Sequence, residues 1–195
     1  MAIVNLPDGI IISNVNVEHH MPQFVTQSLN LKRTAKDRDI HQLKGTFDIT
    51  IDDARIQRRF ESWLTRMKGR LNQFELELGN RFSASDHLNS VPNVSANTGV
   101  GANSIALSNI AGEIWEGDFI NFLNDPKVYI IQSDLTSGNG TVNIYPSLRQ
   151  EQFRDSVVNM SSVIVRAQLT KDAHMVDYTE GGAIHTYSCE WEESL

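Results

Sequence analysis

The sequence predicts a mainly β protein with one α-helix, in which a small β-barrel interrupts a discontinuous host domain. Three observations carry that expectation. The stretch Trp115 to Arg149 reads as three consecutive antiparallel strands. Residues 10–78 read as strands around one amphipathic helix. Two further alternating segments close the chain at 162–170 and 183–192, and two strands are too few for a stable domain of their own. They are therefore expected to return to the first sheet, giving a host domain of 1–84 plus 157–195 and an inserted domain of 85–156.

Residues 10–17, IIISNVNV, predict the first strand, with Val15 and Val17 on one face and Asn14 and Asn16 on the other. Pro22 separates it from a second strand, about Phe24 to Leu31. The mixed-charge segment KRTAKDRD is read as a solvated loop or a long hairpin tip. In 43–51, Leu43, Gly45, Phe47, Ile49 and Ile51 alternate with polar partners, as in a half-buried antiparallel strand. Asp52-Asp53 offers a helix cap. Ile56, Phe60, Trp63, Leu64 and Met67 then recur every three or four residues on one face, and Gly69 supplies a stop. A strand over about 72–78 follows.

Residues 79–104 are rich in Asn, Ser, Gly and Ala and predict a linker or long loops. Ser104 to Leu107 is read as a short strand entering the barrel. Phe119 to Leu123, Val128 to Ile131 and Val142 to Tyr145 form its meander. Asn124-Asp125-Pro126 is read as a break in the chain, Ser137-Gly138-Asn139-Gly140 as a turn, and Pro146 as the end of pairing. Residues 150–160 are read as a second linker or short helix.

At 195 residues and 40% hydrophobic content the chain can bury a sizeable core. No apolar run approaches the ~20 residues of a membrane span. The start, MAIVNLPDG, lacks a basic n-region and an apolar h-region, which predicts no secretory signal. A lone cysteine, Cys189, excludes an internal disulfide and a multi-cysteine zinc site. The net charge of −7 is uneven: residues 86–156 carry three Lys/Arg against eight Asp/Glu. An acidic barrel is the wrong sign for phosphate neutralisation, so sequence-specific nucleic-acid binding is not expected.

No catalytic, cofactor or metal constellation is expected. His19 and His20 are adjacent on a strand and point to opposite faces. His41, His87 and His174 fall in polar loops and are read as solvent-exposed. Cys189 lies four residues from His185, about 13 Å along a strand, beyond proton-transfer reach. Glu113, Glu116 and Asp118 are read as solvated turn carboxylates rather than the opposed pair of a glycosidase. Gly99-Val100-Gly101-Ala102 lacks the third glycine and the Lys-Ser/Thr of a phosphate loop. Arg55, Arg59 and Arg66, with Arg58 and Arg70 nearby, lie off the helix's apolar face. A solvated face accounts for them. So does a subunit contact, with Glu190, Glu192 and Glu193 of a neighbouring copy as the complement.

The block GDFINFLNDPKVYIIQSDLTSGNGTVNIYPSLR resembles the distal tail proteins of long, flexible-tailed bacteriophages, which share its Gly-Asp turn, Pro-Lys-Val-Tyr strand, hairpin and Tyr-Pro strand end. The ending Trp191-Glu192-Glu193-Ser194-Leu195 is similar to that family's C-terminus. The resemblance is strongest over 112–149 and weakest at the N-terminus and in 83–104. It implies a host β-sandwich related to tail-tube proteins, with an inserted OB-like barrel. It implies a structural, non-enzymatic role in the virion: a homohexameric ring, monomeric in isolation, that joins the tail-tube protein to the tip hub protein around the DNA channel. Synthesis would be in the host cytoplasm. The alternative is a carbohydrate- or protein-binding module acting through the insert during host attachment. Trp115 and Tyr129 are the candidates for its ligand face, with a host-surface saccharide as partner.

Overall fold

The computed structural model describes residues 1–79, 82–136, 138–176 and 185–194. The chain is mainly β with one α-helix, and its strands form a five-stranded sheet, a nearly closed six-stranded barrel-like sheet and a separate two-stranded hairpin. Contacts divide it into two compact units, Met1–His19 with Leu43–Leu76 and Val165–Leu195, and His20–Gln42 with Glu77–Ile164. Residues 20–42, expected within the host domain, group with the second unit instead. The divisions near 76 and 164 stand where 84 and 156 were expected. The reason is that Ala84, Val158 and Met160 belong to the barrel core, and the Ala84 N–H donates to the Met160 carbonyl at 2.8 Å.

In the first unit the strands are β1 (Ile11–His20), β4 (Gln42–Ile51), β5 (Gln73–Glu77), β12 (Ile164–Leu169) and β13 (His185–Glu193), in the order β1-β4-β13-β12-β5. β13 lies antiparallel to β4 from His185 opposite Ile51 to Glu192 opposite Lys44, so the two ends of the chain share one sheet. Period-two burial explains the pairing. Leu43, Phe47, Ile49 and Ile51 of β4 and Tyr187, Cys189 and Trp191 of β13 are buried. Gly45 is required by close approach, since a Cβ there would stand 1.8 Å from the Asn16 carbonyl oxygen of β1.

Helix α1 spans Ala54–Met67, capped by Asp53, whose side chain accepts the Arg55 N–H at 2.6 Å. It buries Phe60, Trp63 and Met67. Trp63 meets Phe74 of β5 edge-on at 5.4 Å, and Phe60 contacts Tyr187 of β13 at 5.4 Å. The Trp63 indole N–H donates to the Val4 carbonyl at 3.0 Å. The expected stop at Gly69 comes one residue earlier, because Lys68 already adopts the left-handed conformation at φ 52°.

The second unit's barrel has the order β11-β8-β9-β10-β7-β6, from β6 (Asn93–Val94), β7 (Ser104–Ser108), β8 (Phe119–Phe122), β9 (Asp125–Ile131), β10 (Gly140–Tyr145) and β11 (Val158–Asn159). A bridge between Asn93 and Val157 draws its two edge strands together. The core includes Ile105, Leu107, Ile120, Phe122, Tyr129, Ile131, Val142 and Ile144. Two readings change here. The described residues of 79–104 are long loops for the most part, but they contribute Ala84, Leu88 and Val94 to that core and so are no linker. Asp125 does not break the chain: it opens β9 opposite Phe122, across a tight turn.

The hairpin pairs β2 (Gln23–Gln27) with β3 (Arg33–Asp37), from Gln23 opposite Asp37 to Gln27 opposite Arg33. The segment read as a charged loop is thus a strand. Every residue from Gln23 to Ile40 is exposed, including Phe24, Val25, Leu29 and Leu31. Arg38 lies 4.8 Å over the Phe24 ring. At the hairpin's foot, Asp39 accepts hydrogen bonds from the Ser147 N–H at 3.2 Å and from its hydroxyl.

Candidate functional site

The barrel unit carries a clamped aromatic group on the segment that leads into β8. Trp115 is 48% exposed. Its ring stacks on His87, with centroids 3.8 Å apart and planes 8° from parallel. The indole N–H donates to Glu113 Oε2 at 2.8 Å, and the Trp115 backbone N–H donates to Asp118 Oδ2 at 2.9 Å. The same Asp118 oxygen bonds His87 Nε2 at 2.9 Å. The chain can bring these groups together because Gly112 sits at φ +122°, where a side chain is strained, and a Cβ there would lie 2.2 Å from the His87 carbonyl oxygen. The Glu113 N–H donates to that oxygen at 3.0 Å, and the Glu116 N–H donates to Asp134 Oδ1 at 2.7 Å. Glu113 and Asp118 are therefore partners of this clamp, Glu116 stays an exposed carboxylate joined to it only through its backbone N–H, and His87 is no loose loop residue.

Tyr129, the other candidate for a ligand face, is fully buried and can present no such face. Its hydroxyl donates to Asp125 Oδ2 at 2.5 Å and accepts the Arg149 N–H at 2.9 Å. Asp125 also accepts the Lys127 N–H at 3.0 Å. Burial first, then the hydrogen bond to Asp125, pushes the phenol well above its ordinary range. The group is a satisfied polar network inside the barrel.

On the first unit, Arg55, Arg58, Arg59 and Arg66 line a cleft of about 490 Å³ with Pro7, Asp8 and Ser62. Among the described residues these four arginines form no ion pair. The carboxylates expected to meet them on another copy are engaged within the chain. Glu193 is fully buried and accepts the Leu43 N–H at 3.1 Å, so it has no surface to offer. Glu192 holds Lys44 Nζ at 3.2 Å and accepts from Gln168 at 2.9 Å. Glu190 holds Lys171 Nζ at 2.5 Å, and that hydrogen bond keeps its carboxyl below the usual range.

His41 is buried, with its ring 5.8 Å from that of Tyr145, rather than exposed in a loop. His174 lies 3.1 Å from the Lys171 carbonyl. The side chain of His185 lies outside the described residues. Among the described residues no group of three or more His, Cys, Asp or Glu could hold a metal ion, and no helix is long and apolar enough to cross a membrane.

Cys189 is buried, and burial, with a smaller contribution from Asp48, pushes its thiol up to about 12. Only the thiolate attacks an alkylating agent. At pH 8 a thiol titrating near 12 is ionised to about one part in ten thousand, against roughly a quarter for a free cysteine. Iodoacetamide labelling of the native protein at pH 8 should therefore run on the order of a thousandfold slower than that of the urea-unfolded chain. Comparable rates, measured by intact mass, would contradict the burial.

No protein-family model matches the chain, and no curated protein matches it.

Proposed function

We propose that this protein is a structural subunit of a phage tail tip, assembling into a ring that connects the tail tube to the tip hub around the DNA channel. The observation that carries the proposal is the β2–β3 hairpin. It is two strands wide, exposed throughout from Gln23 to Ile40, and studded with Phe24, Val25, Leu29 and Leu31. A two-stranded ribbon is marginal in water, and a free strand edge is a template for pairing with another chain. β1, ten residues long, is the edge strand at one side of the five-stranded sheet. Such edges suit head-to-tail contacts between identical copies, which close into rings when the rotation permits. The sequence resemblance over 112–149 supplies the tail-tip context.

Electron microscopy of the assembled particle tests this reading. A six-membered ring at the junction of tube and tip, with this chain located in it, is the expected result; its density elsewhere would refute the assignment. The unpaired arginine cleft is the proposed second contact. Arg59→Glu with Arg66→Glu should reduce incorporation into particles at least about tenfold, as loss of a desolvated charge contact does. Unchanged incorporation would remove the cleft from the interface.

A second reading, a binding module acting through the barrel, is favoured by one observation: the fixed, half-exposed Trp115.

A further inference from the structure

The indole of Trp115 is immobilised yet left open. His87 covers one face of the ring at 3.8 Å, Glu113 holds its N–H at 2.8 Å, and Asp118 fixes both the Trp115 backbone and the His87 imidazole. Backbone bonds between Ile114 and Leu135, 2.9 and 2.8 Å, pin the segment to its neighbour. A tryptophan needed only for packing would be turned inwards, as Trp63 and Trp191 are, both with no exposed surface. A ring whose rotamer is already locked has little side-chain freedom left to lose when a ligand stacks on it.

We propose that Trp115 and its surrounding carboxylates form a binding site for a neutral pyranose residue of a saccharide chain. The proposal rests on the binding-module reading and is independent of ring formation. The open face of the indole carries the negative lobe of the ring quadrupole. A pyranose with axial C–H groups on one side presents a weakly positive apolar face of matching size, and its equatorial hydroxyls project outwards as donors. Glu113 stands at the nitrogen edge of the ring, Glu116 follows in the chain, and Asp134 accepts the Glu116 N–H at 2.7 Å. All three carboxylates are exposed and accept only, which suits hydroxyl donors. The same charges repel phosphorylated or uronic-acid polymers and nucleic acid. Sites for quaternary ammonium ions surround the cation with several aromatic faces. Here the second ring, His87, lies behind the first.

Nuclear magnetic resonance of the full-length ¹⁵N-labelled chain tests the site, because its three tryptophans give three indole N–H signals and two of them are buried controls. The probes are chitotetraose, cellotetraose and β-1,4-galactotetraose, with tetramethylammonium and polygalacturonate alongside. The expected result is a saturable shift of the Trp115 signal with at least one neutral tetrasaccharide, while the Trp63 and Trp191 signals stay in place. Trp115→Ala should weaken that binding, followed through neighbouring amides, by at least about tenfold. Should the alanine variant fail to fold, Trp115→Phe, which keeps a ring but no N–H, should still bind, more weakly. The proposal is overturned if no neutral probe moves Trp115, if only tetramethylammonium or polygalacturonate does, or if saccharide binding survives intact in Trp115→Ala. None of those outcomes bears on whether the chain forms a ring, which microscopy decides separately.

Discussion

Trp63→Ala should be the most damaging single substitution in the first unit, lowering its stability by about 3–5 kcal/mol from packing alone. The side chain has no exposed surface. It touches Phe60 at 5.7 Å and Phe74 at 5.4 Å, and so ties α1 to β5. Truncation leaves a cavity that the two neighbouring rings can collapse into only in part. It also removes the 3.0 Å hydrogen bond to the Val4 carbonyl. A stranded acceptor adds about 1–3 kcal/mol if it stays buried, and little if the N-terminal segment peels away to water. Trp63→Phe separates the two effects by keeping a ring and losing the donor. Urea unfolding followed by Cys189 labelling reads this unit specifically, because Cys189 lies in β13 of the same sheet. With a slope of about 1–2 kcal/mol per molar urea, the midpoint should fall by roughly 1.5–5 M. A loss below about 1 kcal/mol would mean that Trp63 is not the keystone its burial suggests.

Most of this unit was legible because its strands obey period two and its helix period 3.6. β4, α1 and β12 each bury every second or every third-to-fourth residue, and hydrophobic patterning detects burial. It detects nothing else, and the misreadings follow from that. β3, RTAKD, buries no residue. It is a strand because its backbone pairs with β2, and backbone pairing leaves no trace in side-chain hydropathy. β6 and β11 are two residues long and join the barrel through bonds such as Val94 N–H to the Ser156 carbonyl, 2.9 Å. An Asn/Ser-rich stretch with one buried valine reads as a linker for that reason. Asp125 looked like turn chemistry, yet it is buried and holds the hydroxyl of Tyr129 and the N–H of Lys127.

The candidate site was half legible. Trp115 stood out as a large ring among polar neighbours. His87, which makes it a platform, lies 28 residues earlier, and no spacing rule links them. The one local signal was Gly112. A glycine just before Glu113 permits the backbone to pass close to the His87 carbonyl, but only the fold says which carbonyl. Tyr129 misled in the opposite direction, although it sits in the continuous apolar run Val128 to Ile131, the mark of a strand covered on both faces.

Excising the hairpin should abolish assembly without unfolding the subunit. The design replaces Gln23–Asp37 by a short Gly-Ser turn and keeps Asp39, whose contacts with Ser147 anchor the hairpin's foot. The expectation follows from where burial lies. None of the deleted residues is buried, so the loss of folding free energy should stay within about 1 kcal/mol, typical of changes that touch no core. Contact between copies is another matter. Phe24, Val25, Leu29 and Leu31 are 48–107% exposed, and each could bury most of its side chain against a neighbour, at about 1.5–3 kcal/mol apiece. The proposed ring would repeat that loss at every interface, so weakening one contact type would remove the ring altogether rather than thin it. Complementation of a particle lacking this gene product measures assembly, and circular dichroism with urea titration measures folding. If the chain is the proposed tail-tip subunit, full-length protein should restore tails and the deletion fewer than about one in a thousand, the factor that a loss of only some 4 kcal/mol per contact already gives. Wild-type tail numbers with the deletion would mean that the exposed ribbon is not what holds neighbouring copies together, and the proposed ring would have to be built on the β1 edge and the arginine cleft.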